Sequence, residues 1–331
     1  MLRELFQKVQ NKLVHIFILL LMMANISDLI HFAFTYHLFV PSQVLLTVPE
    51  SARFISDDQY YFILDPYTSW NDVFLKRGWS TKQEVESYVF MKNFLYPNSN
   101  LIVNKKNYAI NTGAFHLRRV EYMKNLIEKL VSKEKGVITP YIHNLLEIIG
   151  IRTIVSGYPL KGDMLQEETV LIHNDSTIYI YTLAYPKSDW YYIPQTLERV
   201  EFIDDFEKKI TDRSITARNA VAEGIEKREN NSEYTITNSN GYNDRFELSG
   251  NFKNDTFIAL RINYYPEWSV LIDGKKTAIY KTNLTHMGLN VPKGKHEVVI
   301  RYENWYFKIG LVLSLFATAG CAFILVKSKR L

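Results

Sequence analysis

The chain has little cysteine: one residue, Cys321, in 331. No disulfide can form within one chain, and any zinc site needing two thiolates is excluded. Net charge is also scarce. Lys and Arg number 39 against 35 Asp and Glu, a formal +4. There is no phosphate loop, no Gly-x-Ser-x-Gly elbow and no dinucleotide fingerprint, so no cofactor is expected. The histidines stand at 15, 31, 37, 116, 143, 173, 286 and 296. None has a second histidine and an acid at metal-ligand spacing, so no metal site is expected. Isolated Ser and His residues do not compose a triad. Long apolar runs are few, and a mean hydropathy of −0.14 excludes a polytopic membrane protein but leaves room for a few spanning helices. Apolar residues are nevertheless 47% and aromatics 14% of the chain. That supports a large folded core and excludes a disordered tail.

The clearest apolar run is Ile309 to Val326, 18 residues without a charge. As a helix it spans about 27 Å, close to the ~30 Å hydrocarbon thickness. Trp305, Tyr306 and Phe307 precede it as interfacial aromatics do, and Lys327, Lys329 and Arg330 give a positive flank. The N-terminal run, Leu13 to Ala24, is shorter and continues through Asn25, Ser27 and Asp28. A basic start suits a signal peptide, but no small-x-small cleavage site follows. The preferred reading is an anchor. Residues 1–12 carry +2, residues 327–331 carry +3, and everything between sums to −1. The basic excess lies at the two tips, so it reads as positive-inside and not as a nucleic-acid surface. The expected location is a bacterial cytoplasmic membrane, with both termini cytoplasmic and the centre outside.

Between the runs, residues 36–110 show broken periodicity, expected as short helices and loops. Leu117, Val120, Met123, Ile127, Leu130 and Val131 then form one helical face. Thr139 as N-cap, Pro140 at the first position and Gly150 past Ile149 punctuate a second helix. Strands are expected at 152–155, 169–173 and 177–183, with Asn174-Asp175-Ser176 turning between the last two, and a helix at 204–210. A polar stretch at 227–232 is taken as a boundary. Beyond it the pattern is all β, at 234–237, 245–249, 257–264, 268–272, 277–281 and 297–302, with Asp273-Gly274 and Lys293-Gly294 as hairpin turns. The expected fold is therefore α+β: two transmembrane helices flank an extracytoplasmic α/β domain followed by a β-sandwich. The expected divisions are a cytoplasmic N-terminus at 1–12, a transmembrane helix at 13–33, the α/β region at 34–227, the β-sandwich at 228–305, a transmembrane helix at 306–326 and a tail at 327–331.

Three groups of residues carry candidate chemistry. Asp28 and His31 stand three apart near the outer end of the first helix. An intramembrane acid suggests function, and a polar helix end packed on partner helices is the plainer reading. Asp57-Asp58 with Tyr60-Tyr61 could pair acids with sugar-stacking rings, but adjacent acids point apart, so a surface loop is preferred. Tyr265, Trp268 and Asp273 are the candidates for saccharide contact, since rings stack on sugars and carboxylates accept hydroxyl protons. A core tryptophan and a turn aspartate are the structural alternative, and it is preferred. Five Asn-x-Ser/Thr sequons, at Asn25, Asn174, Asn230, Asn254 and Asn283, carry no weight in a bacterium.

One ordered series is more specific: Tyr264-Tyr-Pro-Glu-Trp268, Asp273-Gly274-Lys275, Val291-Pro-Lys-Gly-Lys-His296, then Val299-Ile-Arg-Tyr302 and an apolar helix. It resembles the C-terminal end of YfhO-type bacterial membrane proteins. The segment Leu145 to Val155, the strand Ile178 to Tyr181 and the pair Asp28-Leu29 are similar to that family too, so the likeness covers nearly the whole chain. Glu267 departs from it, standing where the family usually has glycine, which puts the local turn type in question. The resemblance implies kinship with membrane glycosyltransferases of the GT-C architecture, which transfer a sugar from a polyprenyl-phosphate carrier to an acceptor outside the membrane. Their catalytic acid lies in a multi-helix N-terminal module that has no counterpart here, so no residue inherits a catalytic role. The implied function is accessory: positioning an acceptor polymer or glycolipid, or bracing a catalytic module in another chain. The implied partners are the lipid bilayer, such a module, and a polyprenyl-phosphate sugar or envelope glycopolymer, with no nucleic acid. The alternative is a stand-alone membrane-tethered protein that binds carbohydrate or envelope polymer. An independent hydrolase is a third reading with no residue pair to support it.

Overall fold

A computed structural model of the chain describes residues 2–36, 43, 46–57, 59–64, 92, 106–108, 117–173, 176–184, 189–201, 203–211, 218–230, 233–241 and 244–328. Helix α1 (Leu2–Tyr36) contains one 18-residue window, Val14–His31, long and apolar enough to cross a membrane, and none of it is buried. Asn25 keeps its amide inside the helix by donating to the Leu21 carbonyl at 2.9 Å. Further α-helices among the described residues include α2 (Arg118–Lys133), α3 (Pro140–Ile149), α4 (Ile203–Thr211) and α5 (Trp305–Ser328). The apolar stretch Trp305–Gly320 of α5 is exposed along its length. The fold is mixed α+β with several sheets.

The strands are β1 (Tyr60–Leu64), β2 (Lys106–Asn107), β3 (Ile151–Ser156), β4 (Leu165–His173), β5 (Ser176–Leu183), β6 (Tyr191–Tyr192), β7 (Thr196–Val200), β8 (Asn219–Glu223) and β9 (Arg228–Glu229). After them come β10 (Tyr234–Gly241), β11 (Arg245–Phe252), β12 (Thr256–Asn263), β13 (Trp268–Ile272), β14 (Lys275–Thr277), β15 (Tyr280–Thr282), β16 (His286–Val291) and β17 (Gly294–Tyr302).

The first sheet runs β2-β1-β3-β5-β4, parallel from β2 to β3 and antiparallel from β3 to β4. Side chains on a strand alternate in direction, and the inner strands β1, β3 and β5 are covered on both faces. Phe62, Leu64, Ile154, Tyr181 and Leu183 pack with the apolar faces of α2 and α3. Tyr61, Ile63, Val155, Ile178 and Ile180 pack on the other side with Ala52 and Ile55. Most of residues 36–110, expected as loops and short helices, lies outside the described residues. The described part includes β1, a central strand: a short apolar run has no period by which to distinguish it. His173 pairs with Ser176, while the expected turn residues 174 and 175 lie outside the described residues.

The rest forms a five-stranded sheet, β10-β11-β17-β13-β14, and a seven-stranded sheet, β6-β12-β16-β15-β8-β7-β9. One apolar cluster takes Leu248, Phe252, Val270, Val298 and Ile300 from the former and Ile258, Leu260, Ile262, Met287, Leu289 and Val291 from the latter. The opposite face of the seven-stranded sheet carries a separate cluster of Leu197, Ala220, Ala222, Phe257 and Ala259, and Val221 with the nearby Leu284 joins the sheet to the α/β part, in the same cluster as the residues of α2 and α3. The seven-stranded sheet is thus a middle layer, buried on both faces.

Three expectations change in detail. The division at residue 228 falls inside the middle sheet, because β6, β7 and β8 precede it and hydrogen-bond to strands beyond or beside it. Asn230 binds across this point, donating to the Pro194 and Phe257 carbonyls and accepting from the Phe257 N–H. Lys293-Gly294 is not a hairpin turn, since β16 belongs to the middle sheet and β17 to the outer one. The strand expected at 277–281 is instead two short ones, β14 and β15, in different sheets.

Candidate functional site

Trp268 opens β13, with Val270 pointing into the core at 0% exposure. The indole is half-buried and lies 5.9 Å from Phe246 and 5.3 Å from Tyr302, centroid to centroid. Phe246 continues to Trp190 at 5.1 Å, and Trp190 to Tyr191 at 5.0 Å. Trp268 is therefore one link in a row of rings that closes the end of the core between the sheets. Tyr265 stands outside this row, 39% exposed, its ring edge-on to Tyr302 at 6.4 Å. Partial burial pushes its hydroxyl pKa up.

Asp273 lies at the other end of β13. Its φ of 50° and the 77° of Gly274 make the left-handed two-residue turn that joins twisted strands. The carboxylate is already engaged. One oxygen accepts the Glu297 N–H at 3.0 Å, and the other is 2.7 Å from His296 Nδ1. His296 Nε2 is 3.2 Å from the Lys293 carbonyl, so the imidazolium form donates to an acceptor at each end. The backbone bond to Glu297 and the His296 contact hold the Asp273 carboxyl below its usual range, and Asp273 raises the imidazole. Five steps along the strand take the chain from Trp268 to Asp273, about 16 Å at ~3.3 Å per step. The structure brings Tyr265 and Trp268 onto Tyr302 and leaves Asp273 remote.

Asp28 and His31 lie one turn apart on exposed α1. Asp57 is exposed ahead of β1, and Asp58 lies outside the described residues. Tyr61 is wholly buried, and burial raises the Tyr60 hydroxyl to about 12, so this pair is core and offers no open platform for a sugar.

Sequence reasoning missed the polar seam between the α/β part and the middle sheet. Arg261 on β12 is 8% exposed. Its guanidinium donates to the carbonyls of Glu147 (3.3 Å), Asp189 (3.0 Å) and Tyr191 (3.2 Å) and stacks 4.6 Å from the Tyr192 ring centre. Gly150 ends α3 at φ 83°, and a Cβ there would stand 2.7 Å from Arg261 Cδ. Asn283 donates to the Tyr192 hydroxyl at 2.7 Å and accepts the Val221 N–H at 3.1 Å. The Tyr108 hydroxyl is 2.8 Å from Thr285 Oγ1, and its ring is edge-on to His286 at 6.2 Å. His286 is fully buried, with neither ring nitrogen partnered among the described residues. One signal was visible: a charge inside the apolar run Phe257–Ile262. The sequons at Asn230 and Asn283 are likewise buried structural amides.

A groove of about 600 Å³ lies along α2, lined by Asn125, Glu128, Lys129, Ser132, Lys135, Gly136 and Tyr158. Lys129 is paired to Glu207 at 2.9 Å, and Lys124 reaches Glu128 at 3.6 Å. Among the described residues no three His, Cys, Asp or Glu side chains are grouped to hold a metal.

Residues 218–314, from the start of β8 into the first turns of α5, match the family model described as bacterial membrane protein YfhO. The C-terminal portion is YfhO-like. A stretch of 86 residues is 29% identical to the uncharacterized protein YfhO of Bacillus subtilis (strain 168), covering 26% of this chain and 10% of that relative. No solved structure matches the chain. The YfhO-like portion contains the Tyr264–Trp268 turn, which accommodates Glu267 simply. The Trp268 N–H donates to the Tyr265 carbonyl at 3.2 Å, and Glu267 is not among the residues with positive φ. With Pro266 at the second position this is a type I turn, which has no need of glycine at the third.

Proposed function

We propose that this chain is the membrane-anchored extracytoplasmic part of a YfhO-like glycosyltransferase system, and that it positions an envelope polymer or glycolipid acceptor while a multi-helix partner performs the transfer. The observation that carries this reading is the YfhO match, which runs from the middle sheet through β17 into α5. In this reading α1 and α5 both cross the bilayer, and the two packed sheets form a β-sandwich outside it. Cysteines introduced at Leu5, Asn240 and Arg330 in a Cys321→Ser background test the topology. Only the one at Asn240 should react with an impermeant thiol reagent. The function is tested by deleting the chain and analysing the envelope polymers. Loss of a sugar substituent is expected. Unchanged polymers, or sugar transfer from a polyprenyl-phosphate donor by the purified chain alone, would refute the accessory role.

The α2 groove favours a second reading, a tethered glycan-binding protein. A tyrosine wall with an amide, a hydroxyl and a carboxylate is the chemistry that holds a hydroxylated ring. It predicts saturable glycan binding by the full chain, lost in Tyr158→Ala with folding intact. Trp268→Ala is an unsuitable test, because its ring fills the end of the core.

A further inference from the structure

The YfhO-like β region is tied rigidly to the first turn of α5. Only Glu303 and Asn304 separate β17 from that helix. Asn304 caps it, accepting the Phe307 N–H at 2.9 Å. The Tyr302 N–H donates to the Asp244 carbonyl at 2.9 Å, and the Glu303 N–H to the Glu267 carbonyl at 3.1 Å. The Tyr265–Trp268 turn and Asp244 are therefore held at the level where α5 begins. The aromatics there face solvent: Tyr265 is 39% exposed, Trp305 61%, Tyr306 80% and Phe307 69%. Lys308 folds back over the Trp305 ring at 4.5 Å.

Resting on the reading of α5 as a spanning helix, we infer that the Tyr265-Pro266-Glu267 turn lies in the lipid headgroup layer, forming one interfacial belt with Trp305 and Tyr306. The β region is thereby docked end-on against the bilayer, with the Asp273–His296 turn facing away from it. Amphipathic rings prefer that layer because one edge is apolar and the hydroxyl or indole N–H stays wet. The occupant is the bilayer surface because the belt is continuous with the apolar helix that enters it. Electrostatics do not supply the attraction. Arg245, Arg301 and Lys308 at this end are outnumbered by Asp244, Glu247, Glu267 and Glu303, and Arg245 and Arg301 are paired to Glu247 and Glu303. Contact should therefore not depend on anionic lipid.

The test uses the full chain, Cys321→Ser, in lipid nanodiscs, with a fluorophore on a single cysteine replacing Pro266, Gly274 or Ser314. Nitroxide lipids labelled at the headgroup or along the acyl chain are the quenchers. Ser314 should be quenched by the acyl-chain label, and Pro266 by the headgroup label several-fold more than Gly274, equally with and without anionic lipid. In a Tyr265→Ser background the Pro266 quenching should fall. Pro266 and Gly274 quenched alike, or Pro266 unaffected by Tyr265→Ser, would overturn the inference while α5 still spans. An unquenched Ser314 would overturn the spanning reading and the inference with it.

Discussion

His286 makes acid a specific threat to this fold. The ring is wholly buried, neither nitrogen has a partner among the described residues, and burial, aided by the nearby Arg261 charge, lowers its pKa from 6.5 to about 3. In the unfolded chain the imidazole takes up a proton near pH 6.5, whereas in the folded chain it does so only near pH 3. The unfolded state thus gains protons first, and stability is lost as pH falls from 6.5 toward 3, with no contribution above that window. At about 1.36 kcal/mol for each pH unit, the full window is a ceiling of roughly 5 kcal/mol, and descent to about pH 4 costs up to roughly 3 kcal/mol. Such a loss is a large share of a typical domain's stability. Other groups titrate in the same range, so the comparison must be with His286→Leu, which sacrifices no hydrogen bond and keeps an apolar contact for Tyr108. Unfolding free energies of the full chain from urea titrations, followed by tryptophan fluorescence, should agree within about 1 kcal/mol at neutral pH. They should diverge toward pH 4, with the leucine variant the more stable. A difference between the two proteins that stays constant with pH would refute the buried neutral imidazole.

Arg261→Met should destabilise the chain by about 3–5 kcal/mol, because three carbonyls lose their donor in a largely buried seam; a urea midpoint within error of the parent would count against the clasp. Asp273→Asn should lower the His296 pKa toward 6.5, read by imidazole NMR, since the carboxylate is the largest cause of its elevation. The His296 contribution to stability holds below 6.5 and fades as pH rises through the raised value, and the substitution should flatten that decline. A chain starting at residue 228 should aggregate or unfold without cooperativity, because Phe257 and Ala259 lose the Leu197, Ala220 and Ala222 they pack on. One starting at residue 46 should melt as a single transition, and cooperative melting of the shorter chain would show the division at 228 to be a true one.

Local signals in the sequence were legible where one physical rule dominated. Pro140 and Gly150 bound α3 as its punctuation implies, although the Thr139 side chain makes no cap hydrogen bond. The β13 bounds and the Asp273-Gly274 turn likewise follow from alternation and left-handed turn chemistry. Strands of the middle sheet were harder. β16 reads His-Met-Gly-Leu-Asn-Val, with nearly every residue buried, so the polar–apolar alternation that marks a half-buried strand is absent. Its glycine is there because a Cβ at Gly288 would stand 2.3 Å from Phe257. The three saccharide candidates were adjacent in sequence, but strand geometry separates Asp273 from Trp268. Adjacency along an extended strand is distance in space, whereas a helix would have returned the side chains to one face within a turn.

The seam residues expose a more general reason why the division at residue 228 looked right from composition. Arg261, Asn283 and His286 lie beyond it, while Glu147, Tyr192 and Tyr108 come from before it. Each is polar, so a hydropathy reading places it at a surface. In the structure they sit where two apolar clusters meet, and there Arg261 donates to three backbone carbonyls while Asn283 accepts the Val221 N–H. Arg261 does this for the C-terminal turn of α3 and for the chain entering β6 at once, and the absence of a side chain at Gly150 leaves the room it needs. A charged residue inside a buried strand is thus the sign of a layer boundary within one folded unit. Within the charged run, Lys227, Arg228 and Glu229 are exposed where β9 forms the edge of the middle sheet, while Asn230 next to them is buried.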